Sequence, residues 1–253
     1  MLKLFAELNN RSGRFLDDLF AFISSPKCAG CGLNLENNHI PLCESCRSQI
    51  AGDFHGEGPI CLVCHAPQVV HCGCQIDERY PMPQMFYWSE YTETIKSLIH
   101  GFKFKGDKKL GLFLIERALN TMRERIPTIR CDLIVPIPLR LNDKRRRGFN
   151  QSDFIADGLT KILDVPVGYD ILQKTRQTRL QANLSAKERW RNVKGIFALE
   201  NSEMIKGKSI LLVDDIVTTG ATSMEAARVL YESGASSVTV FALACADTRK
   251  LGN

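Results

Sequence analysis

Apolar residues fall along this chain in two rhythms. Short unbroken runs read as buried strands: Met85 to Trp88, Leu133 to Val135, Gly195 to Leu199, Ile210 to Val213 and Val238 to Phe241. Between them apolar positions recur at helical spacing. Ile95, Leu98, Ile99 and Phe102 mark one helix, and Leu110, Phe113, Leu114 and Leu119 mark another over about Lys108 to Arg125. Two more are predicted over Ser152 to Leu163 and Thr222 to Ser233, the last closed by Gly234 as its C-cap. Strands of this kind alternating with amphipathic helices predict an α/β fold whose parallel sheet is covered on both faces. Ligands of such sheets bind beyond the C-terminal ends of the strands, here the turns at Pro136, Asp214 and Ala242 to Asp247.

The rhythm changes before Pro81 and Pro83, which mark a boundary. Leu2, Leu4, Phe5, Leu8, Phe15, Leu16, Leu19, Phe20 and Phe22 predict an N-terminal packing helix within residues 1–26. A helix lying on a membrane surface is the alternative, but its polar face carries acids as well as bases. The expected division is therefore this helix, a cysteine-rich unit over residues 27–80 and an α/β domain over residues 81–253.

Composition narrows the class. Hydrophobic residues at 44% and charged residues at 24% exclude a disordered chain. No run approaches the roughly 18 apolar residues of a membrane span. Asp17 and Asp18 interrupt the N-terminal segment, which lacks the order of a signal peptide, so a cytoplasmic protein is expected. The net charge of +5 suits an anionic partner but demands none.

Eight of the ten cysteines lie between Cys28 and Cys74: Cys28, Cys31, Cys43, Cys46, Cys61, Cys64, Cys72 and Cys74. Three pairs have C-x-x-C spacing and the fourth is tighter. Such a turn lets two thiolates point at one tetrahedral ion. Eight thiolates make two structural zinc sites, paired either sequentially or crossed; spacing does not choose. A disulfide framework or an iron–sulfur site is the alternative, and disulfides are rare in a reducing cytosol. His39, His65 and His71 could replace a thiolate, but with eight cysteines present they are expected to face solvent. A unit this small has little core, so metal would supply folding energy.

The densest chemistry lies from Ile210 to Thr222. Four apolar residues end in Asp214 and Asp215, followed by Thr218, Thr219, Gly220, Ala221 and Thr222 at the start of a helix. Loop amides and a helix N-terminus converge there on an anion, and Gly220 permits close approach. No Gly-Lys-Ser/Thr follows, so this is not a Walker loop. Two carboxylates would repel a phosphate unless they bind something else, and a vicinal diol suits them. A ribose 5-phosphate satisfies both halves. The alternative, an acidic strand end before a capped helix, explains neither the second acid nor the crowd of hydroxyls.

Two basic segments accompany it. Val135-Pro136-Ile137-Pro138-Leu139-Arg140 leads into Lys144-Arg145-Arg146-Arg147-Gly148-Phe149-Asn150-Gln151, five bases with Asp143 as the one acid. That charge would neutralise a pyrophosphate leaving group; a solvated turn or a nucleic-acid patch are the alternatives. From Lys174 to Lys194 seven bases face Glu188 alone, with poor periodicity. This reads as a mobile basic loop, or as a surface loop held by Trp190 packing inward.

The Ile210–Thr222 run resembles the phosphoribosyl-pyrophosphate signature of type I phosphoribosyltransferases. That resemblance implies that Asp214 and Asp215 hold the ribose 2- and 3-hydroxyls and that residues 218–222 hold the 5-phosphate. It implies a pyrophosphate loop at Ile137, Pro138, Leu139 and Arg140, with Arg147 alongside. It also implies a water-excluding lid with Arg176, Thr178 and Gln181 as candidates, and Mg²⁺ as cofactor. The cysteine pairs, Arg-Gly-Phe-Asn-Gln, Arg-Gln-Thr-Arg-Leu-Gln and Glu-Arg-Trp-Arg-Asn-Val together resemble the competence protein F family. Membership implies a bacterial protein of DNA uptake in transformation, either a phosphoribosyltransferase or a binding protein for single-stranded DNA or other uptake proteins. Phe102, Phe104 and Phe149, each near Lys or Arg, are candidate base-stacking residues or core.

Overall fold

In the computed structural model the described residues are 26–36, 40–51, 59–67, 72–74, 78–104, 106–139, 141–175 and 186–246. The predicted helix within residues 1–26 therefore lies almost entirely outside them, as do His39, His71, Arg140, Arg176, Thr178, Arg179, Gln181 and Asp247.

Among the described residues the elements run α1 (Glu44–Ala51), β1 (Ile60–Cys61), β2 (Gln84–Glu90), α2 (Glu93–Phe104), α3 (Lys108–Thr121), β3 (Leu133–Pro136), α4 (Leu141–Arg147) and α5 (Gln151–Leu163). There follow β4 (Leu172–Lys174), α6 (Ala186–Val193), β5 (Phe197–Leu199), β6 (Ser209–Val217), α7 (Ala221–Glu232) and β7 (Ser237–Cys245). The main sheet has the order β1-β2-β7-β6-β3, and β2, β7, β6 and β3 are parallel. Strand β1 adds antiparallel to the free edge of β2, and β4 and β5 form a separate antiparallel pair.

Side chains alternate across a strand, so each strand feeds two cores. Phe86, Trp88, Ile134, Leu211, Val213, Phe241 and Leu243 pack on α2, α3 and α5. Met85, Leu133, Val135, Ile210, Leu212, Val240 and Ala242 pack on the face covered by α7. The expected parallel sheet with two covered faces is what the structure shows. No helix among the described residues is long and apolar enough to cross a membrane.

Three readings are corrected. The strand predicted to stop at Val213 continues to Val217, because its ladder with β7 persists from Asp214 opposite Ala242 to Val217 opposite Cys245. The predicted turn from Ala242 is strand as far as Cys245 for the same reason. The basic segment read as aperiodic contains α6, whose Ala, Lys, Glu and Arg residues favour a helix without marking an apolar stripe.

Candidate functional site

A cleft of about 270 Å³ opens at the C-terminal ends of β3 and β6. Its walls bring together Ile137, Pro138, Leu139, Arg147, Asp214, Asp215, Thr218, Thr219, Gly220, Ala221 and Thr222. These come from two stretches that the sequence singled out, Val135 to Gln151 and Ile210 to Thr222. Lys103, Phe104, Asp143 and Lys174 are also in the wall. Among the described residues, Ala242 to Ala246 are not in this lining.

Local structure explains the positions. Gly220 takes φ +70° as the N-cap of α7, and no side chain caps that helix. The positive end of the helix dipole therefore opens into the cleft among threonines. On the opposite wall Asn150 caps α5 by accepting from the Ser152 N–H at 3.4 Å, while its Nδ2 donates to the Ile137 carbonyl at 3.1 Å. Asn150 thus pins the 137–139 loop to the start of α5. Nothing in the Arg-Gly-Phe-Asn-Gln run signals that role.

The acid pair sits between the two walls. Asp215 is buried and Asp214 half-buried. Asp214 Oδ1 accepts the Asp215 N–H at 2.8 Å. Burial, and after it the charge of Asp215, push the Asp214 carboxyl up to about 7, against the pull of Lys103 and Lys174. Lys103 Nζ lies 2.8 Å from Asp215 Oδ1. Nothing in the sequence signalled that pair, whose members are far apart along the chain and come from the end of α2 and from β6.

The basic run behaves unevenly. It forms α4, where Arg146 is exposed and pairs with Asp143 at 3.0 Å, while Arg147 turns to the cleft and bonds Gln151 Oε1 at 3.2 Å. The guanidinium of Arg147 lies 4.8 Å over the ring of Phe104, which is 52% exposed. Phe102 and Phe149 are buried and stacked on each other at 5.3 Å, so they are core and not stacking platforms. Trp190 lies on α6, half-exposed, against a groove with Val63, Cys74 and Met224.

The eight cysteines form two clusters with sequential pairing, Cys28, Cys31, Cys43 and Cys46 in one and Cys61, Cys64, Cys72 and Cys74 in the other. The ligand atoms of each lie within 4.8 Å of one another, and Cys31 Sγ is 3.7 Å from Cys43 Sγ. Four sulfurs at about 2.3 Å from one tetrahedral ion stand about 3.8 Å apart, so the donor sets fit zinc. Backbone N–H groups of Cys43 and Cys46 donate to Cys28 Sγ and Cys43 Sγ at 3.3 and 3.5 Å, as thiolate acceptors require. A β-carbon at Gly30 would stand 2.8 Å from Cys46 Sγ, so glycine admits the first cluster's closure. His65, expected to face solvent, is instead buried with its Nε2 3.6 Å from Cys245 Sγ. The turn Cys61 to Ala66 folds it back onto the end of β7.

The clusters touch opposite faces of the sheet. Cys28, Leu42, Cys46 and Ile50 join the core of α2, and Ser97 Oγ donates to the Ala29 carbonyl at 3.0 Å. Leu62, inside the second cluster, joins the core of α7.

A family model described as phosphoribosyl transferase domain matches residues 146–251. Competence protein F of Haemophilus influenzae is 31% identical over 229 residues, covering 86% of this chain and 96% of that protein. The chain belongs to the competence protein F family. DNA utilization protein YhgH of Escherichia coli K12 is also 31% identical, covering 85% of this chain and 95% of its own length. Competence protein ComFC of Bacillus subtilis is 30% identical, over 80% of this chain and 83% of its own. In this family member the α/β part has the type I phosphoribosyltransferase fold, with cysteine clusters that fit zinc ahead of it.

Proposed function

We propose that the cleft binds phosphoribosyl pyrophosphate together with Mg²⁺ and that the protein transfers the phosphoribosyl group to a nucleophile within DNA uptake. The observation that carries this reading is the cleft itself: an acid pair, an uncapped helix N-terminus lined by threonines and three cationic side chains share one wall system. In this reading the amides and hydroxyls of residues 218–222 hold the 5-phosphate. Asp214 and Asp215 accept from the ribose 2- and 3-hydroxyls. Lys103, Arg147, Lys174 and the 137–139 loop face the pyrophosphate, which Mg²⁺ accompanies as a hard counter-ion for its oxygens.

The reaction is a displacement at the anomeric carbon. The nucleophile's lone pair forms the new bond to C1, the C1–O bond breaks, and pyrophosphate leaves with that electron pair. A proton carried by the nucleophile passes to solvent. Cations fixed around the leaving group stabilise its charge as it develops. The basic segment from Lys174 to Lys194, with Arg176, Thr178 and Gln181 as candidates, is proposed as the lid. The resemblance to proteins named for competence and DNA utilization supports the setting.

A second reading is supported by Phe104, exposed at the cleft mouth beneath Arg146 and Arg147. An aromatic face flanked by cations suits a base of single-stranded DNA. Titration calorimetry separates the two. Phosphoribosyl pyrophosphate with Mg²⁺ binds the wild type and not the Asp214→Ala/Asp215→Ala variant. No heat at millimolar ligand would contradict the first reading and leave the second.

A further inference from the structure

We propose that the second cysteine cluster is the back wall of the anion-binding loop, so that metal at Cys61, Cys64, Cys72 and Cys74 and an anion at Thr218–Thr222 tighten each other. The contact that carries this is between Leu62 and Gly220. Leu62 lies between two ligand cysteines and is fully buried. Its carbonyl oxygen stands 2.6 Å from where a β-carbon on Gly220 would be, and its Cγ 3.2 Å. The loop and the cysteine turn therefore meet backbone to backbone, with no room for a methyl group.

A second contact ties the other end of the same loop. His65, just after Cys64, packs on Cys245 Sγ at the end of β7. Cys245 stands opposite Val217 in the ladder, and the Ala246 N–H donates to the Val217 carbonyl at 2.8 Å. Residues 218–219 are thus strung between two points, Val217 and Gly220, that both lean on the cysteine turn. That turn is in turn fixed to the sheet, since Cys61 pairs with Gln84 and its N–H donates to the Ala66 carbonyl at 2.8 Å.

A tetrahedral ion draws four sulfurs to one spacing and so sets the backbone between Cys61 and Cys64. Close-packed contacts transmit sub-ångström shifts instead of absorbing them. An anion that fixes the loop must then favour the metal-bound geometry, and the effect is reciprocal. The first cluster, on the other face of the sheet, has no such contact with the loop among the described residues.

The first test needs no sugar ligand. Zinc release from the full-length protein is followed with a chelating indicator in Gly220→Ala and in Gly207→Ala. Gly207 has the same φ of +70° but open space around its β-carbon, so it controls for backbone strain alone. Gly220→Ala is expected to lose one of two zinc equivalents at least about 5-fold faster than wild type, with the low end of typical affinity coupling between sites expressed in the release rate. Gly207→Ala keeps the wild-type rate. Equal rates in Gly220→Ala would overturn the coupling.

If Gly220→Ala does not fold, the wild type decides by hydrogen exchange before and after chelation. Faster exchange concentrated in residues 217–223 supports the coupling; unchanged exchange there, or a uniform rise over the whole protein, overturns it. The anion half rests on the phosphoribosyl reading and is tested separately. On protein that calorimetry shows to be saturated with phosphoribosyl pyrophosphate, release of one zinc slows. Failure of the ligand to bind would count against that reading, while the Gly220 and exchange results still judge the wall.

Discussion

Lys103 Nζ lies 2.8 Å from Asp215 Oδ1, with both side chains largely shielded from solvent. The lysine ends a helix whose other end rests on α1 and the first cysteine cluster, through Thr94 to Gln49 at 2.9 Å and Ser97 to Ala29 at 3.0 Å. A cysteine cluster that fits zinc and the acid pair thus lie at two ends of one rod.

Lys103→Met removes a cation from beside a buried carboxylate. Expected losses are about 1–3 kcal/mol of stability, from the unpaired acid, and roughly tenfold or more in affinity for phosphoribosyl pyrophosphate. Ribose 5-phosphate, which lacks the pyrophosphate, loses much less. Calorimetry with both ligands checks this, and equal losses would show that the lysine serves the acids alone.

Asp214 gives a pH signature. Its carboxyl is raised to about 7, so between about pH 4 and pH 7 the folded protein holds a proton that the unfolded chain has released. The stability this group contributes is full below about pH 4 and is lost as pH rises to about 7. In the proposed reading diol binding runs oppositely, because it needs the ionised acid. Denaturant midpoints measured across this range fall more steeply with pH in the wild type than in Asp214→Asn. Matching slopes would contradict the assignment.

How much of this was legible beforehand depends on whether a signal was local. The four central strands and the Asp-Asp-Ile-Val-Thr-Thr-Gly run leading into α7 announced themselves, because buried parallel strands and a strand-to-helix turn are written in consecutive residues. Helix α6 was not legible, since its residues favour helix without an apolar stripe. The ion pair of Lys103 with Asp215, the Asn150 bond to Ile137 and the Leu62–Gly220 contact join positions distant in the chain, and only folding brings them together. The sequential cysteine pairing was open for the same reason.

Gly111→Ala tests the packing beneath Lys103. A β-carbon there would stand 2.2 Å from the ring of Phe102, which is stacked on Phe149 and edge-on to Phe154. Alanine favours a helix by up to about 1 kcal/mol over glycine, but overpacking a core costs about 1–3 kcal/mol. The clash wins, and the urea midpoint falls. A midpoint at or above the wild-type value would show that the ring relaxes freely.

Metal content tests the clusters together. Purified protein is expected to carry two zinc ions per chain, and chelation lowers the melting temperature because Cys28, Cys46 and Leu62 are part of the two cores. Well under two zinc ions per chain by elemental assay would contradict the two-site reading.

Glu225 anchors the segment that follows the proposed lid. Its Oε1 accepts the Gly195 N–H at 2.7 Å, and Arg228 reaches both of its oxygens. Glu225→Ala is expected to cost about 1–3 kcal/mol and to speed proteolysis between Lys174 and Lys194. Unaltered cleavage would show that the segment is held elsewhere.

The most direct measurement is a crystal structure with phosphoribosyl pyrophosphate and Mg²⁺. The 5-phosphate is expected on the amides of residues 218–222, the ribose hydroxyls on Asp214 and Asp215, and the pyrophosphate beside Lys103. Density elsewhere, with the acid pair still closed on Lys103 and the loop empty at saturating ligand, would contradict the phosphoribosyl reading.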